Sequence, residues 1–146
     1  MNPGHQSALR AYRSSRAPLT GVAAAIELYD QAIGRLTEAR RQWSETDFDD
    51  AFESLRRTAM IFEMLAANLD HQRGKQVSAT LLRYYNGLSF QTLAVPRQTD
   101  PLARIDSVIR QVAVVRDAWA EVLAQTSGAQ SGTIGTAHGA NGIDVA

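Results

Sequence analysis

The chain has 146 residues, no cysteine, and equal numbers of basic and acidic residues, fifteen of each. A hydrophobic content of 45% and a charged content of 21% are typical of one globular domain and exclude a wholly disordered chain. The balanced charge gives no overall attraction to nucleic acid or to an anionic membrane, and the missing cysteine excludes disulfides and thiolate chemistry.

The first segment, residues 1–17, is polar and basic. Its only sizeable apolar groups beyond Met1 are Leu9 and Tyr12, which would share a face if the segment were helical. We expect either a short helix that docks on the domain or a mobile arm. The segment lacks the apolar core of a secretory signal, and no apolar run in the chain is long enough to span a bilayer. A cytoplasmic protein without membrane insertion is therefore expected.

The first helix is predicted from Leu19 to Trp43, because apolar residues recur there every three or four positions. Tyr29 lies within this stripe and Asp30 lies at its edge. Two interpretations are open. The phenol can pack in the core while the carboxylate fixes a neighbouring segment, or the two can belong to a binding site. The stripe consists of Leu19, Val22, Ile26, Tyr29, Ile33, Leu36 and Trp43.

A second helix is predicted after a polar connector, with Asp47 as its N-cap. Its back carries Met60 and Met64, one turn apart. Because methionine adapts to irregular partners, this ridge is either an interaction surface or a contact with another helix of the chain. The core stripe consists of Phe48, Phe52, Leu55, Ala59, Phe62, Ala66 and Leu69.

Two further helices complete the pattern. The third is predicted to run to about Val95, with Phe90 on the side away from its main stripe as a second contact surface or a residue covered by a neighbour. The fourth begins at the Asp100-Pro101 pair and ends near Gln125.

Short links between four helices predict an all-α fold, an antiparallel up-down four-helix bundle over residues 18–125. Residues 1–17 form an N-terminal arm in this division. Residues 126–146 are rich in small and polar residues without hydrophobic periodicity, so we expect a disordered tail.

Catalytic patterns are not evident in the sequence. A di-metal site in a helical bundle needs Glu-x-x-His pairs on facing helices, and none occurs. His5, His71 and His138 fall in the arm, a connector and the tail. There is no phosphate-binding glycine loop and no nucleophile elbow. We therefore expect no enzyme activity, no metal and no cofactor.

Five short motifs follow one another along the chain. They are Ala11-Tyr12, Ile26-Glu27-Leu28-Tyr29-Asp30-Gln31-Ala32-Ile33, Leu69-Asp70 before a glycine-containing turn, Tyr85-Asn86, and Ala118-Trp119. In order and spacing they resemble the FliS family of flagellin export chaperones, over about Leu9 to Val122. Gln31 stands where that family usually has Gly, and Asn86 stands where it has Asp.

The resemblance implies a cytoplasmic chaperone that binds the C-terminal segment of flagellin, prevents premature polymerisation and presents the subunit to the flagellar type III export apparatus. A disordered amphipathic segment can fold along the grooves of such a bundle. Candidate partner-binding residues are Tyr12, Leu28, Tyr29, Asp30, Met60, Ile61, Met64, Leu82, Tyr85, Asn86, Phe90 and Leu93.

A competing hypothesis is a regulatory helical bundle with a different partner, which it would bind through Met60, Met64 and Phe90. The sequence leaves the oligomeric state open, so a homodimer is neither required nor excluded. Binding of a flagellin C-terminal peptide would separate the two hypotheses.

Overall fold

The computed structural model describes residues 18–69 and 75–145, and within these it contains four α-helices and no strand. We call them α1 (Pro18–Ser44), α2 (Phe48–Ala67), α3 (Lys75–Leu93) and α4 (Pro101–Val145). A short 3-10 turn, Val95–Arg97, joins α3 to α4. The predicted all-α four-helix bundle is confirmed.

Neighbouring helices pack unequally around the bundle. α1 packs along both α2 and α4, and α2 packs along α3, whereas α3 and α4 approach each other over a smaller area. A reciprocal amide pair bridges this lighter seam. Gln111 Nε2 donates to Gln91 Oε1 at 2.8 Å, and Gln91 Nε2 donates to Gln111 Oε1 at 3.2 Å. Polar bonds therefore contribute to the contact between α3 and α4.

The core forms from the apolar stripes that the sequence predicts. Tyr29, Leu36, Phe62 and Leu88 are fully buried or nearly so, and they come from α1, α2 and α3. Their burial removes large apolar areas from water, which is the main favourable term in folding. From α4 and the turn before it the core takes Val95, Ile105, Val108 and Val112.

Two residues of the predicted α2 stripe differ from expectation. Phe48 and Phe52 remain 42% and 45% exposed, although their spacing predicts burial. Both lie in the first turns of α2 and contact Trp43 of α1, with ring centroids 4.9 and 5.7 Å away. One indole covers only one side of each phenylalanine ring, so the rest of each ring stays in contact with water.

The end of α4 also differs from expectation. The sequence predicts a helix to about Gln125 followed by a tail without regular structure, but the backbone of α4 is helical to Val145. Helical hydrogen bonds are local, and no proline follows Pro101, so the helix can continue without a neighbouring helix. The importance of residues 126–146 for folding stays a prediction.

Candidate binding surface

A pair of tyrosines joins the two helices that lie diagonally across the core. The hydroxyls of Tyr29 in α1 and Tyr85 in α3 are hydrogen bonded, and their ring centroids are 6.3 Å apart. Both rings are buried. Tyr29 is therefore a core residue. It can support a nearby binding surface without contacting the partner itself.

A third phenol connects this pair to α4. Tyr84 lies beside Tyr85 and donates its hydroxyl hydrogen to the main-chain oxygen of Gln111. Burial is the largest cause that raises the pKa of Tyr84, to about 12, and burial likewise raises the pKa of Tyr29 and of Tyr85. All three phenols thus stay protonated at neutral pH and keep their hydrogen bonds.

Two ion pairs fix α1 against α4. Arg116 Nε lies 2.8 Å from Asp30 Oδ1, and Arg40 Nε lies 2.7 Å from Asp106 Oδ1. The arginine donates to both carboxylate oxygens in each pair, which adds directional specificity. Asp30 therefore fixes the neighbouring helix α4. This agrees with the interpretation that its carboxylate has a structural role.

Two other candidates lie on the side of the core where α1 meets α2. Ile61, a candidate partner-binding residue, lies outside the predicted core stripe of α2, but it is only 6% exposed and belongs to the core. Leu28 is partly buried and packs against the same core. On this side the hydroxyl of Ser54 in α2 donates a hydrogen bond to the side chain of Gln42 in α1, so α1 covers this part of α2.

The candidates on α3, apart from Tyr85, share one flank. Leu82, Asn86, Phe90 and Leu93 follow one another at three- and four-residue steps. Tyr84 and Gln91, on the opposite flank, hydrogen bond to Gln111 of α4, so the Phe90 flank is turned towards α2. Phe90 is 70% exposed and Leu93 is 48% exposed.

Phe48 and Phe52 of α2 add exposed apolar surface at the end of the bundle where Phe90 and Leu93 lie. α2 and α3 are antiparallel, so the start of α2 and the end of α3 lie at the same end of the bundle. We call the combined surface the α2/α3 face. It consists of Phe48, Phe52, Leu82, Asn86, Phe90 and Leu93. Exposed apolar groups that cluster in this way are typical of a protein-binding surface.

Sequence reasoning missed Phe48 and Phe52 as surface residues, because periodicity identifies the apolar side of a helix but not the point at which its neighbours stop covering that side. One signal could have found them. Both residues occupy the first turn and a half of their helix, beside three aspartates, where a helix end projects from its neighbours.

Met60 and Met64 lie on the side of α2 away from the core. Met60 is exposed and its sulfur accepts a hydrogen bond from Arg56 at 3.2 Å, whereas Met64 is half-buried. Exposure of Met60 favours a surface role over contact with another helix of the chain. The remaining candidate, Tyr12, lies outside the described residues.

Metal-binding and membrane-spanning features were sought in residues 18–69 and 75–145. No group of three or more histidine, aspartate or glutamate side chains there could hold a metal ion. None of the helices described has the length and apolar character needed to cross a membrane.

Comparison with known protein families bears on the whole bundle. A family model described as "Flagellar protein FliS" matches residues 7–126. The chain belongs to the FliS family. FliS proteins are flagellar chaperones and generally bind flagellin, and the matched range includes the α2/α3 face and both tyrosines of the core pair. No individual curated protein matches the chain.

Proposed function

We propose that this chain is a cytoplasmic export chaperone that binds the C-terminal segment of flagellin, prevents its premature polymerisation and delivers it to the flagellar type III export apparatus. Membership of the FliS family supports the general chaperone role. The observation that carries the finer function is the α2/α3 face, where Phe52, Phe90 and Leu93 expose apolar surface around a completed core.

Binding on this face needs no chemical step. An amphipathic segment that is disordered when free can form a helix and lay its apolar side against Phe90 and Leu93. Coupled folding and binding of this kind buries on the order of 1,000 to 3,000 Å². The hydrogen-bonded phenols of Tyr29, Tyr84 and Tyr85 would hold α3 in place beneath the bound segment.

A titration calorimetry experiment with a flagellin C-terminal peptide tests the proposal. We expect a Kd of about 1 μM or tighter and a negative heat-capacity change, because apolar area is buried. Circular dichroism of the mixture should show added helix. An absence of heat with tens of micromolar peptide would refute the flagellin assignment.

Charge insertion locates the binding surface. Phe90→Glu should weaken peptide binding at least about tenfold, because a carboxylate would have to lose its water in an apolar contact. Gln76→Glu is the matched control, since it places the same charge at another exposed position of α3. Equal binding by both variants would show that the peptide binds elsewhere.

The exposed back of α2 supports a second candidate function. Met60 lies outside the α2/α3 flank, so a regulatory bundle could bind another protein, or a second copy of this chain, through that side. Met60→Glu should then abolish that association and leave flagellin peptide binding unchanged. Sedimentation of the chain alone would report any homodimer.

A further inference from the structure

One polar residue lies in the middle of the apolar flank of α3. Asn86 follows Leu82 by four residues and precedes Phe90 by four, so the three side chains lie one turn apart on the same side of the helix. Leu93 lies two turns beyond Asn86 on that side. Asn86 is exposed, as Phe90 and Leu93 are. A helix bound along this flank from Leu82 to Leu93 therefore covers Asn86.

The side chain of Asn86 forms no hydrogen bond with any other residue in the part of the chain that the structure describes. Its amide carries an acceptor oxygen and two N–H donors, which water satisfies while the flank is exposed. A bound apolar side chain would displace this water and leave the amide unpaired. An unpaired buried amide weakens binding by about tenfold or more, so a matching polar group in the partner has a large effect on affinity.

The opposite flank of α3 shows how an amide at a contact between two helices is paired. Gln91 faces α4 and exchanges two hydrogen bonds with Gln111, of 2.8 and 3.2 Å. Such a pair needs one amide from each helix, so it fixes how far one helix is shifted along the other. Asn86 lies five residues before Gln91, roughly 140° away around the helix, where the structure contains no equivalent pair among the residues it describes.

We propose that Asn86 sets the register of the bound helix through an amide pair with one Asn or Gln of that helix. The partner is then an amphipathic helix whose stripe is apolar except for this one amide. In a register shifted by one turn, an apolar group would cover Asn86 and both amides would lose their hydrogen bonds, so a single register is selected. This rests on the proposed function, because it names the chemistry of the segment that the α2/α3 face binds.

Two synthetic peptides test the inference on the full-length protein. Both have about 18 residues, five helical turns, and the same stripe of leucines, but one carries Asn in place of the central leucine. Titration calorimetry gives the affinity of each peptide for the wild-type chain and for Asn86→Leu. The wild-type chain should bind the Asn peptide at least as tightly as the Leu peptide. Asn86→Leu should prefer the Leu peptide, and the ratio of the two affinities should differ by about tenfold or more between the two proteins.

Two further variants show whether the amide itself is responsible. Gln31→Leu is the matched control, because it also replaces an exposed amide by leucine, but on α1 and outside the α2/α3 face. It should leave the affinity ratio at the wild-type value. Asn86→Gln keeps an amide on the flank, so its ratio should lie closer to that of the wild-type chain than the ratio of Asn86→Leu does. Circular dichroism checks that each variant keeps its helical signal.

An unchanged affinity ratio in Asn86→Leu would overturn the inference, as would an equal change in the control variant or the absence of binding of both peptides at tens of micromolar. The flagellin C-terminal peptide is titrated with the same protein preparations. If it binds while the ratio is unchanged, the chaperone function stands and the register role of Asn86 fails. If the ratio changes as expected and the flagellin peptide does not bind, the register role stands and the flagellin assignment fails.

Discussion

At the scale of single residues, the phenols of Tyr29 and Tyr85 depend on each other. Both residues are buried and their hydroxyls are hydrogen bonded to each other, and Tyr29 also interacts with the side chain of Trp119. Loss of one partner leaves a buried polar group without its bond, which generally costs about 1 to 3 kcal/mol, whereas removal of both partners can be nearly neutral. The hydrogen bond therefore stabilises the fold only while both hydroxyls are present.

A double-mutant cycle on this pair gives a direct prediction. Tyr85→Phe should lower the free energy of unfolding by about 1 to 3 kcal/mol, and adding Tyr29→Phe should cost little more. Urea unfolding of the two single variants and the double variant measures all three values. Additive losses would show that the two hydroxyls do not interact energetically.

The same phenols predict a dependence on alkaline pH. Burial holds the pKa of Tyr84 at about 12 and raises those of Tyr29 and Tyr85, whereas a phenol in an unfolded chain titrates near 10. The folded state then keeps its protons to higher pH than the unfolded state. The contribution of the three phenols to the free energy of unfolding should be constant below about pH 10 and fall as pH rises towards 12.

Urea unfolding between pH 8 and pH 11.5, with phenolate absorbance recorded in parallel, measures this loss. Tyr84→Phe is the control, because it removes one raised pKa and should make the decline shallower. A decline of unchanged steepness in that variant would mean that other groups cause it.

At the scale of the elements, Gly34 is an exposed glycine inside α1. A Cβ at this position would meet no atom within 4 Å. Glycine inside a helix costs about 0.5 to 1 kcal/mol relative to alanine, because it loses more backbone entropy on folding. The helix therefore forms despite an unfavourable residue, supported by the core contacts of Ala32 and Leu36.

Gly34→Ala should raise the free energy of unfolding by about 0.5 to 1 kcal/mol. Ala118→Gly, at an exposed position of α4, should lower it by a similar amount and serves as the reverse control. Denaturant midpoints of the two variants give both values. Destabilisation by Gly34→Ala would indicate that the glycine accommodates something other than solvent.

The elements also show where sequence patterns are sufficient. Stripes spaced by three and four residues predicted α1 to α3 and their core sides, because burial of one helix side needs only that spacing. The same stripes placed Phe48 and Phe52 in the core, although both are exposed, and they left out Ile61, which is buried. Whether such a residue is covered depends on the lengths and offsets of neighbouring helices, which are properties of the assembled bundle.

Val122 illustrates this offset. It follows Val108 and Val115 at seven-residue spacing along α4, yet it is exposed. Tyr84 lies opposite Gln111, so the start of α3 at Lys75 lies near Ala120 in the antiparallel arrangement. Val122 therefore lies beyond the end of α3, and the sequence around Val122 cannot predict this.

At the scale of the whole molecule, the core residues of α4, among those whose burial the structure describes, are Ile105, Val108 and Val112. Arg116 of α4 pairs with Asp30 of α1, which places the start of α1 near Gly128. α4 then extends past both of its neighbours. The extension can be helical through its own backbone bonds.

Removal of residues 126–146 should therefore leave the bundle folded. We expect the free energy of unfolding to change by less than about 1 kcal/mol, a small part of typical domain stability. Thermal unfolding followed by circular dichroism compares the shortened and full-length chains. A larger loss would show that the C-terminal part of α4 docks on the bundle.

Because α3 and α4 pack together less closely than the other neighbouring helices, we expect the bundle to open first at α3. α3 packs along α2 on one side and is bonded to α4 through Tyr84, Gln91 and Gln111 on the other, whereas α1 packs closely against two helices. We expect opening of α3 to require less free energy than opening of α1, because α3 has one closely packed neighbour and α1 has two. Backbone amides of α3 should therefore exchange with heavy water sooner than those of α1. The helix that carries Phe90 and Leu93 could then open locally while α1 stays folded.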